Sequence, residues 1–476
     1  MKIAVSQGLD LSLQGSPKES GFYNRVDPDF VAIDLRPFCS LALKLKVAQG
    51  DVINSGCPIA EYKHFPNTFI TSHVSGTVTS IRRGVKRSLL DVVIKKLPGP
   101  TITEYSYDLQ TLSHLELLEV FKKEGLFALM KQRPFDIPAL PTKSPKDIFI
   151  NLADNRPFTP VPEKHLALFS SKEEGFYVFV VGVRAIAKLF GLRPHIIFRD
   201  RLTLPTQDLK AIAHLHTISG PFPSGSPSIH IQQIAPITDE KQVIFTLSFP
   251  EVLTIGHLFL KGRILHEQVV ALAGTGIKSS QRRYIITTKG ASFSSLLNLE
   301  EISHKDSLIA GDPLTGRLCY KEESPHLGLR DHSITVLPNP SKRQAFSFLR
   351  LGFNKLTFTK TYLSGFFKKK RVYINPDTNV HGETRPIIDT EIYDKVMPMR
   401  IPVVPLIKAI ITKNFNLACQ FGFLEISSED FALPTLIDPS KIEMLTIVKE
   451  ALVEYAKETG ILSPQEESHI CSSKNL

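Results

Sequence analysis

Three histidines, His214, His216 and His230, are the first residues of this 476-residue chain whose type and spacing suggest chemistry. Histidines two apart on a strand project from one face and can share a metal ion. No cysteine or carboxylate stands close by in the sequence to complete a first shell, so the spacing favours loop or core histidines over a metal centre. Cys39, Cys57, Cys319, Cys419 and Cys471 are odd in number, scattered and free of any CxxC pair. That pattern argues against a disulfide framework, a zinc ribbon and a cysteine-ligated iron–sulfur cluster, and points to a reducing compartment. The "GTG" of Gly274 to Gly276 runs into "IKSSQRRYIITT", which offers no helix N-terminus to a phosphate, so a dinucleotide loop is not expected there. The turn "GPFPSG", Gly220 to Gly225, reads as a tight connection. There is no GxSxG and no Cys–His motif, and the carboxylates are dispersed. We expect a chain whose chemistry is completed by partner subunits, with no catalytic residue and no metal ligand of its own.

The stretch "ITSHVSGTV", Ile70 to Val78, poses a sharper question. With "LKVAQGDVINSGCPIAEYK" upstream, it alternates apolar and polar residues around Gly-Asp and Ser-Gly turns, like the two halves of the sandwich that carries biotin or lipoate. A carrier needs a lysine at the hairpin tip. Here the tip is "HFPNTFITSH", and Lys63 precedes it. The expectation is a structural sandwich without a prosthetic group.

Composition sets the wider frame. Hydrophobic residues make up 42% and charged ones 22%, which is ordinary globular usage. The length suggests about three to four domains. The start "MKIAVSQGLDLSLQG" lacks an apolar core for an export signal, and no run of eighteen apolar residues offers a membrane span. The net charge of +10 favours an anionic partner or surface. Its clusters are "RRGVKR", Arg82 to Arg87, and "FFKKKR", Phe366 to Arg371, read as solvated basic faces, the alternatives being contact with an anionic membrane or with an acidic partner. No nucleic-acid reader module is present, so no nucleic acid is expected as a partner.

The elements that must position any site follow from periodicity. Short strands with glycine turns fill residues 1–100. In 101–250 a connecting helix and a proline-rich stretch lead to "DIFINLAD", a buried strand. The helix "EEGFYVFVVGVRAIAKLFG" follows, capped by Gly191, and then the strand "HIIF". That β-α-β order predicts a doubly wound, Rossmann-like sheet, whose site lies beyond the strand ends, at Asp154, Asn155 and Arg156. Residues 251–330 read as a small α+β module with a helix around "LKGRILHEQVVALAG". Residues 331–375 read as an extended connection. Residues 376–476 read as helical, with a capping box at Ser440 and Glu443, a stop at Gly460 and a polar, disordered tail.

In order along the chain, "GLDLSLQG", "RGVKRSLLDVVI", "SGPFPSG", "IGHLFLKGRI", "QVVALAG", "HGETRPIIDTEIYDKVMPM" and "GFLEISSEDFALPTLIDPSK" resemble the A subunits of the sodium-translocating NADH:quinone oxidoreductases. The resemblance implies an α+β multidomain chain: a biotinyl/lipoyl-like barrel-sandwich, a Rossmann-like α/β domain, a β-grasp, SLBB-like module and a helical C-terminal region. It also implies a peripheral subunit on the cytoplasmic side of a bacterial inner membrane, with five partner subunits (B to F). The complex oxidises NADH, reduces ubiquinone and exports sodium. Flavins and the iron–sulfur cluster belong to the partners, and this chain to the quinone-reducing half and to assembly. The chain is also similar to the flavin subunit of respiratory complex I, whose glycine-rich loop precedes a strand ending in Asn-Ala-Asp. "NLADN", Asn151 to Asn155, keeps that strand end. The preceding "GLFALMKQRPFDIPALPT" has Gly125 as its only glycine, so the close approach a flavin phosphate needs is lost and flavin binding does not carry over.

What replaced that loop is apolar, with Phe127, Leu129, Met130 and Phe135 beside Lys131 and Arg133. A quinone asks for a greasy slot with one or two hydrogen-bond donors, and this composition can supply both. Phe127, Met130, Lys131, Arg133 and Phe135 are the candidate quinone contacts. Two other readings stay open: a soluble flavin-binding electron-transfer subunit, and a non-redox protein that binds through its basic face.

Overall fold

The computed structural model describes residues 1–19, 23–98, 105–200, 205, 207–339, 373–374, 376–378, 383–387 and 391–462. The Phe366–Arg371 cluster, most of the extended connection and the polar tail lie outside these residues.

The buried strand Asp147–Leu152 is the centre of a seven-stranded sheet. His195–Arg199 and Ile244–Ser248 flank it in parallel, and His214–Ser219 lies beyond His195–Arg199. Counted along the chain, these four strands stand in the order third, second, first, fourth. The switch point of a doubly wound sheet therefore falls between Asp147–Leu152 and Ile244–Ser248. Lys131–Arg133 pairs antiparallel with Ile244–Ser248 and extends the sheet on that side. Lys2–Ala4 closes the other edge against His214–Ser219.

The helix Lys172–Phe190 begins at Ser171, whose side chain accepts from the Glu174 amide, and ends at Gly191 with φ 64°. It crosses the helix Phe249–Lys261 at two glycines. A Cβ on Gly256 would run into the Val178 carbonyl, and one on Gly182 into the Val252 carbonyl. The two backbones touch because neither residue has a side chain.

The N-terminal unit is a four-stranded antiparallel sheet (Phe30–Asp34, Leu89–Lys96, Gly76–Arg83, Val52–Ile53) with a three-stranded one (Leu43–Leu45, Pro58–Tyr62, Phe69–Thr71). Val31, Ile33, Ile59, Val78, Val92 and Ile94 fill its core. A six-stranded sheet follows, centred on Glu267–Ala273 and Ser333–Leu337, and its last member is Asn24–Val26 from the start of the chain. The helices Val403–Ile411, Phe415–Gln420, Ala432–Ile437 and Met444–Glu458 share a core that also takes in Phe222 and Ile229 of the doubly wound domain.

Two local expectations are corrected. The segment expected as a helix around residues 260–274 is split. The helix stops at Gly262, whose φ is 69°, and Glu267–Ala273 is a strand paired with Arg283–Thr288. A buried, β-branched "QVVALA" fits a central strand better than the polar-flanked helix its length suggested. The last helix starts at Met444 rather than from a Ser440–Glu443 box. Asp438 takes over the turn, accepting from the amides of Ser440 at 2.7 Å and Ile442 at 2.8 Å.

Candidate functional site

The switch point opens into a cleft of about 140 Å³. Its floor is the carboxyl end of the first strand, where two sequence motifs meet. Asn151 Nδ2 donates to the Gly225 carbonyl at 2.9 Å, and Asn155 Oδ1 accepts from the Gly225 amide at 3.0 Å. Asn155 Nδ2 donates to Ser224 Oγ at 3.2 Å. A Cβ on Gly225 would meet the Ala153 carbonyl, so the "GPFPSG" turn can close on "NLADN" only with glycine there.

Arg156 stands at the cleft's rim and joins three parts of the chain. It pairs with Asp154 at 2.6 Å, with Glu429 of the helical region at 3.6 Å and with Asp312 of the six-stranded module at 3.9 Å. Burial works against its charge, but these three carboxylates keep it firmly protonated. Asp312 is 2% exposed, and burial raises its carboxyl against the pull of Arg156. From the strand on the far side, Lys131 pairs with Asp136 at 3.1 Å and Glu429 at 3.5 Å. Arg133 pairs with Asp136 at 3.2 Å and donates to Ser228 Oγ at 3.0 Å. Arg330 lies 3.6 Å from Glu251, which caps the helix Phe249–Lys261. Leu129, Leu152, Phe222, Leu247 and Phe249 make the apolar wall. His165 and His332 complete the lining. Burial pushes both far down, His332 to about 3, so they enter as neutral donors or acceptors.

Of the residues nominated for quinone contact, Lys131 and Arg133 line this cleft. Phe127 and Met130 are fully buried in the core of the doubly wound domain, and Phe135 in the core shared with the N-terminal unit. Asp154, Asn155 and Arg156, placed by the strand-end rule, line it as well. Asp312, Arg330, His332 and Glu429 were missed. They arrive from more than a hundred residues downstream, and no local pattern marks them.

The histidines sort differently. His214 and His216 sit at the opposite, amino end of the sheet. There His195 Nδ1 lies 2.9 Å from His216 Nε2, and His195 Nε2 lies 3.3 Å from Asp147. His230 is fully buried in the helix Pro227–Ile234, bonded to the Ser224 carbonyl at 3.0 Å. Among the described residues no group of His, Cys, Asp and Glu is arranged to hold a metal. Gly274 packs onto the backbone of Val336, so the "GTG" serves close packing.

Glu429 gives the cleft a pH signature. Lys131 above all, helped by Arg156 and Arg133, outweighs burial and holds its carboxyl down to about 2. An unfolded glutamate titrates near 4.3, so this contribution is present above that value and is lost as pH falls towards 2. Thermal unfolding of Glu429→Gln should therefore show a shallower loss of stability than the wild type between about pH 4 and 2. Equal slopes would remove Glu429 as the source.

Three family descriptions match the chain: NqrA N-terminal barrel-sandwich hybrid domain over residues 3–97, NqrA second alpha/beta domain over 112–264, and NQRA C-terminal domain over 269–321. Full-length relatives are the A subunits of Na(+)-translocating NADH-quinone reductases. That of Chlamydia pneumoniae is 80% identical over 98% of this chain and 100% of its own length. That of Chlamydia caviae is 74% identical over 97% and 98%, and that of Haemophilus influenzae 30% identical over 96% and 100%. Among solved structures, the NAD+-reducing [NiFe]-hydrogenase in its air-oxidized state aligns over 77% of this chain and 73% of its own, with a TM-score of 0.39 and 10% identity, too distant to carry a functional argument.

Proposed function

We propose a function that proceeds from one premise: the chain belongs to the family of A subunits of the Na(+)-translocating NADH-quinone reductases. In that complex it is a peripheral subunit on the cytoplasmic face of the bacterial inner membrane. It joins five other subunits, B to F, which hold the NADH site, the flavins and the iron–sulfur cluster. It serves the quinone-reducing half and assembly, while NADH oxidation drives ubiquinone to ubiquinol and sodium outward. No helix among the described residues is long and apolar enough to cross a membrane, which is compatible with attachment from one side.

The observation that carries the quinone assignment is the lining of the switch-point cleft. An apolar wall faces Lys131, Arg133 and Arg156 across a space of about 140 Å³. A quinone head group needs that pairing, apolar contact for the ring and N–H donors for its carbonyl oxygens. The cations can donate hydrogen bonds, but lysine and arginine as residue types are poor general acids at neutral pH. They would hold and polarise the head group, and the protons would come from elsewhere.

Lys131→Met in the assembled complex tests this. Losing one charged hydrogen bond should raise the apparent KM for ubiquinone about tenfold, with NADH oxidation by an artificial electron acceptor unchanged. An unaltered KM for ubiquinone would sink the assignment. Phe127→Ala and Phe135→Ala are core truncations and should read out as stability losses of about 3 kcal/mol or more in thermal unfolding.

A further inference from the structure

The strands Gly76–Arg83 and Leu89–Lys96 form a hairpin whose tip, Gly84 to Ser88, is exposed from Val85 to Ser88. From Arg82 to Leu90 it carries Arg82, Arg83, Lys86 and Arg87 and no carboxylate. Arg82 is internal to the fold. It grips Asp91 with two bonds of 2.5 and 2.6 Å and donates to the Glu323 carbonyl of the neighbouring module. Arg83, Lys86 and Arg87 face water, with Arg83 also donating to the Arg87 carbonyl at 3.2 Å across the turn. Between them Val85 is 85% exposed, more than any other large hydrophobic residue described.

The backbone there is strained. Lys86 and Arg87 both adopt left-handed conformations, with φ of 54° and 60°, in a turn where glycine or asparagine would be relaxed. Strain of this kind persists where the surrounding structure imposes it, often at a binding element. Here it holds a lone valine outward, with a long cationic side chain before it and two after.

We propose that this tip docks the protein on the anionic phospholipid surface of the membrane, with Val85 entering the headgroup layer and Arg83, Lys86 and Arg87 pairing with lipid phosphates. Long cationic side chains lay their stems along an apolar boundary and keep their charges among the headgroups. A surface of net negative charge complements three cations undiluted by any acid on the tip. The proposal rests on the peripheral membrane placement given above and names the element that makes it.

The full-length chain is mixed with vesicles of pure phosphatidylcholine and with vesicles containing roughly a third phosphatidylglycerol, and sedimented. Each cation near such a surface strengthens attachment about fivefold. The variant R83Q/K86Q/R87Q should therefore bind the anionic vesicles roughly a hundredfold more weakly, and Val85→Asp should weaken binding with all cations in place. Both variants change only exposed positions, and an unchanged thermal midpoint checks their folding. Wild-type binding that ignores lipid charge, or survives the triple variant, overturns the proposal. So does wild-type chain that co-purifies with the membrane partners yet binds neither vesicle, an outcome that leaves peripheral placement standing through protein contacts alone. Failure of both vesicle binding and co-purification would reject the placement as well.

Discussion

Replacing Arg156 by glutamine should cost about 2 kcal/mol of stability, less than the loss of one partner from a fully buried ionic cluster, because Arg156 and Glu429 are 29% and 39% exposed. Among the described residues the guanidinium is the one group that reaches Asp154, Asp312 and Glu429 together. Asp312 is the sensitive member. At 2% exposure it depends on Arg156, on the amides of Leu314, at 2.9 Å, and Thr315, at 3.1 Å, and on the Thr315 hydroxyl, which donates to its other oxygen. Those three donors, with the partial exposure of Arg156, Asp154 and Glu429, keep the cost below the range for an uncompensated buried charge. Urea unfolding should show a lower midpoint with an unchanged slope. Adding Asp312→Asn should return part of the loss, since the stranded charge is then gone. A double variant whose losses simply add would mean that the two groups do not act together.

Substituting Gly256 by alanine should be the second large effect, and its sign opposes helix propensity. Alanine gains about 1 kcal/mol over glycine inside a helix. Here the added Cβ would strike the Val178 carbonyl and come within 2.8 Å of the Gly182 amide. Neither is a flexible side chain, so the two helices would have to move apart. Overpacking of that kind costs about 1–3 kcal/mol, and it falls on the contact between Lys172–Phe190 and Phe249–Lys261, at the centre of the doubly wound domain. We expect a net loss of about 1 kcal/mol, rising to about 2 at the upper end of that range, read as a lower thermal midpoint. A midpoint at or above that of the wild type would show that the crossing has slack.

The two predictions separate what the sequence makes visible from what it hides. The largely apolar strand from Ile148 to Leu152, broken only by Asn151, and the 3.6-residue stripe to Gly191 were enough to foresee a doubly wound unit, and the rule for strand ends led to Asp154, Asn155 and Arg156. Both signals are local. The rest of the cleft is assembled by tertiary structure, because Asp312, Arg330 and Glu429 reach Arg156 and Glu251 only after two later domains have packed against the sheet. The residues between Phe127 and Phe135 show the same limit. Their composition marks an apolar surface with donors, but alternation along the extended segment decides that Lys131 and Arg133 meet the cleft while Met130 turns into core, and the 3-10 helix Leu126–Leu129 and the turn after the strand bury Phe127 and Phe135. The helix expected over 260–274 failed for a related reason. "QVVALA" is apolar enough for either state, and pairing with Arg283–Thr288 and Ser333–Leu337 makes it a strand.

The basic cluster at Arg82 to Arg87 divides in the same way. As a sequence it is one run of charge, but Arg82 is committed to Asp91 and to the neighbouring module, whereas Arg83, Lys86 and Arg87 remain at the surface. Counting cations would have overstated the face available to a partner.

The most direct test of the account is to recover the tagged chain from mildly solubilised native membranes and assay the preparation for NADH-driven ubiquinone reduction with and without sodium. Sodium-stimulated activity should co-purify with flavoprotein partners, and in the Lys131→Met preparation the apparent KM for ubiquinone should rise about tenfold. Recovery of the chain alone, inactive in both conditions, would contradict its place in the quinone-reducing half.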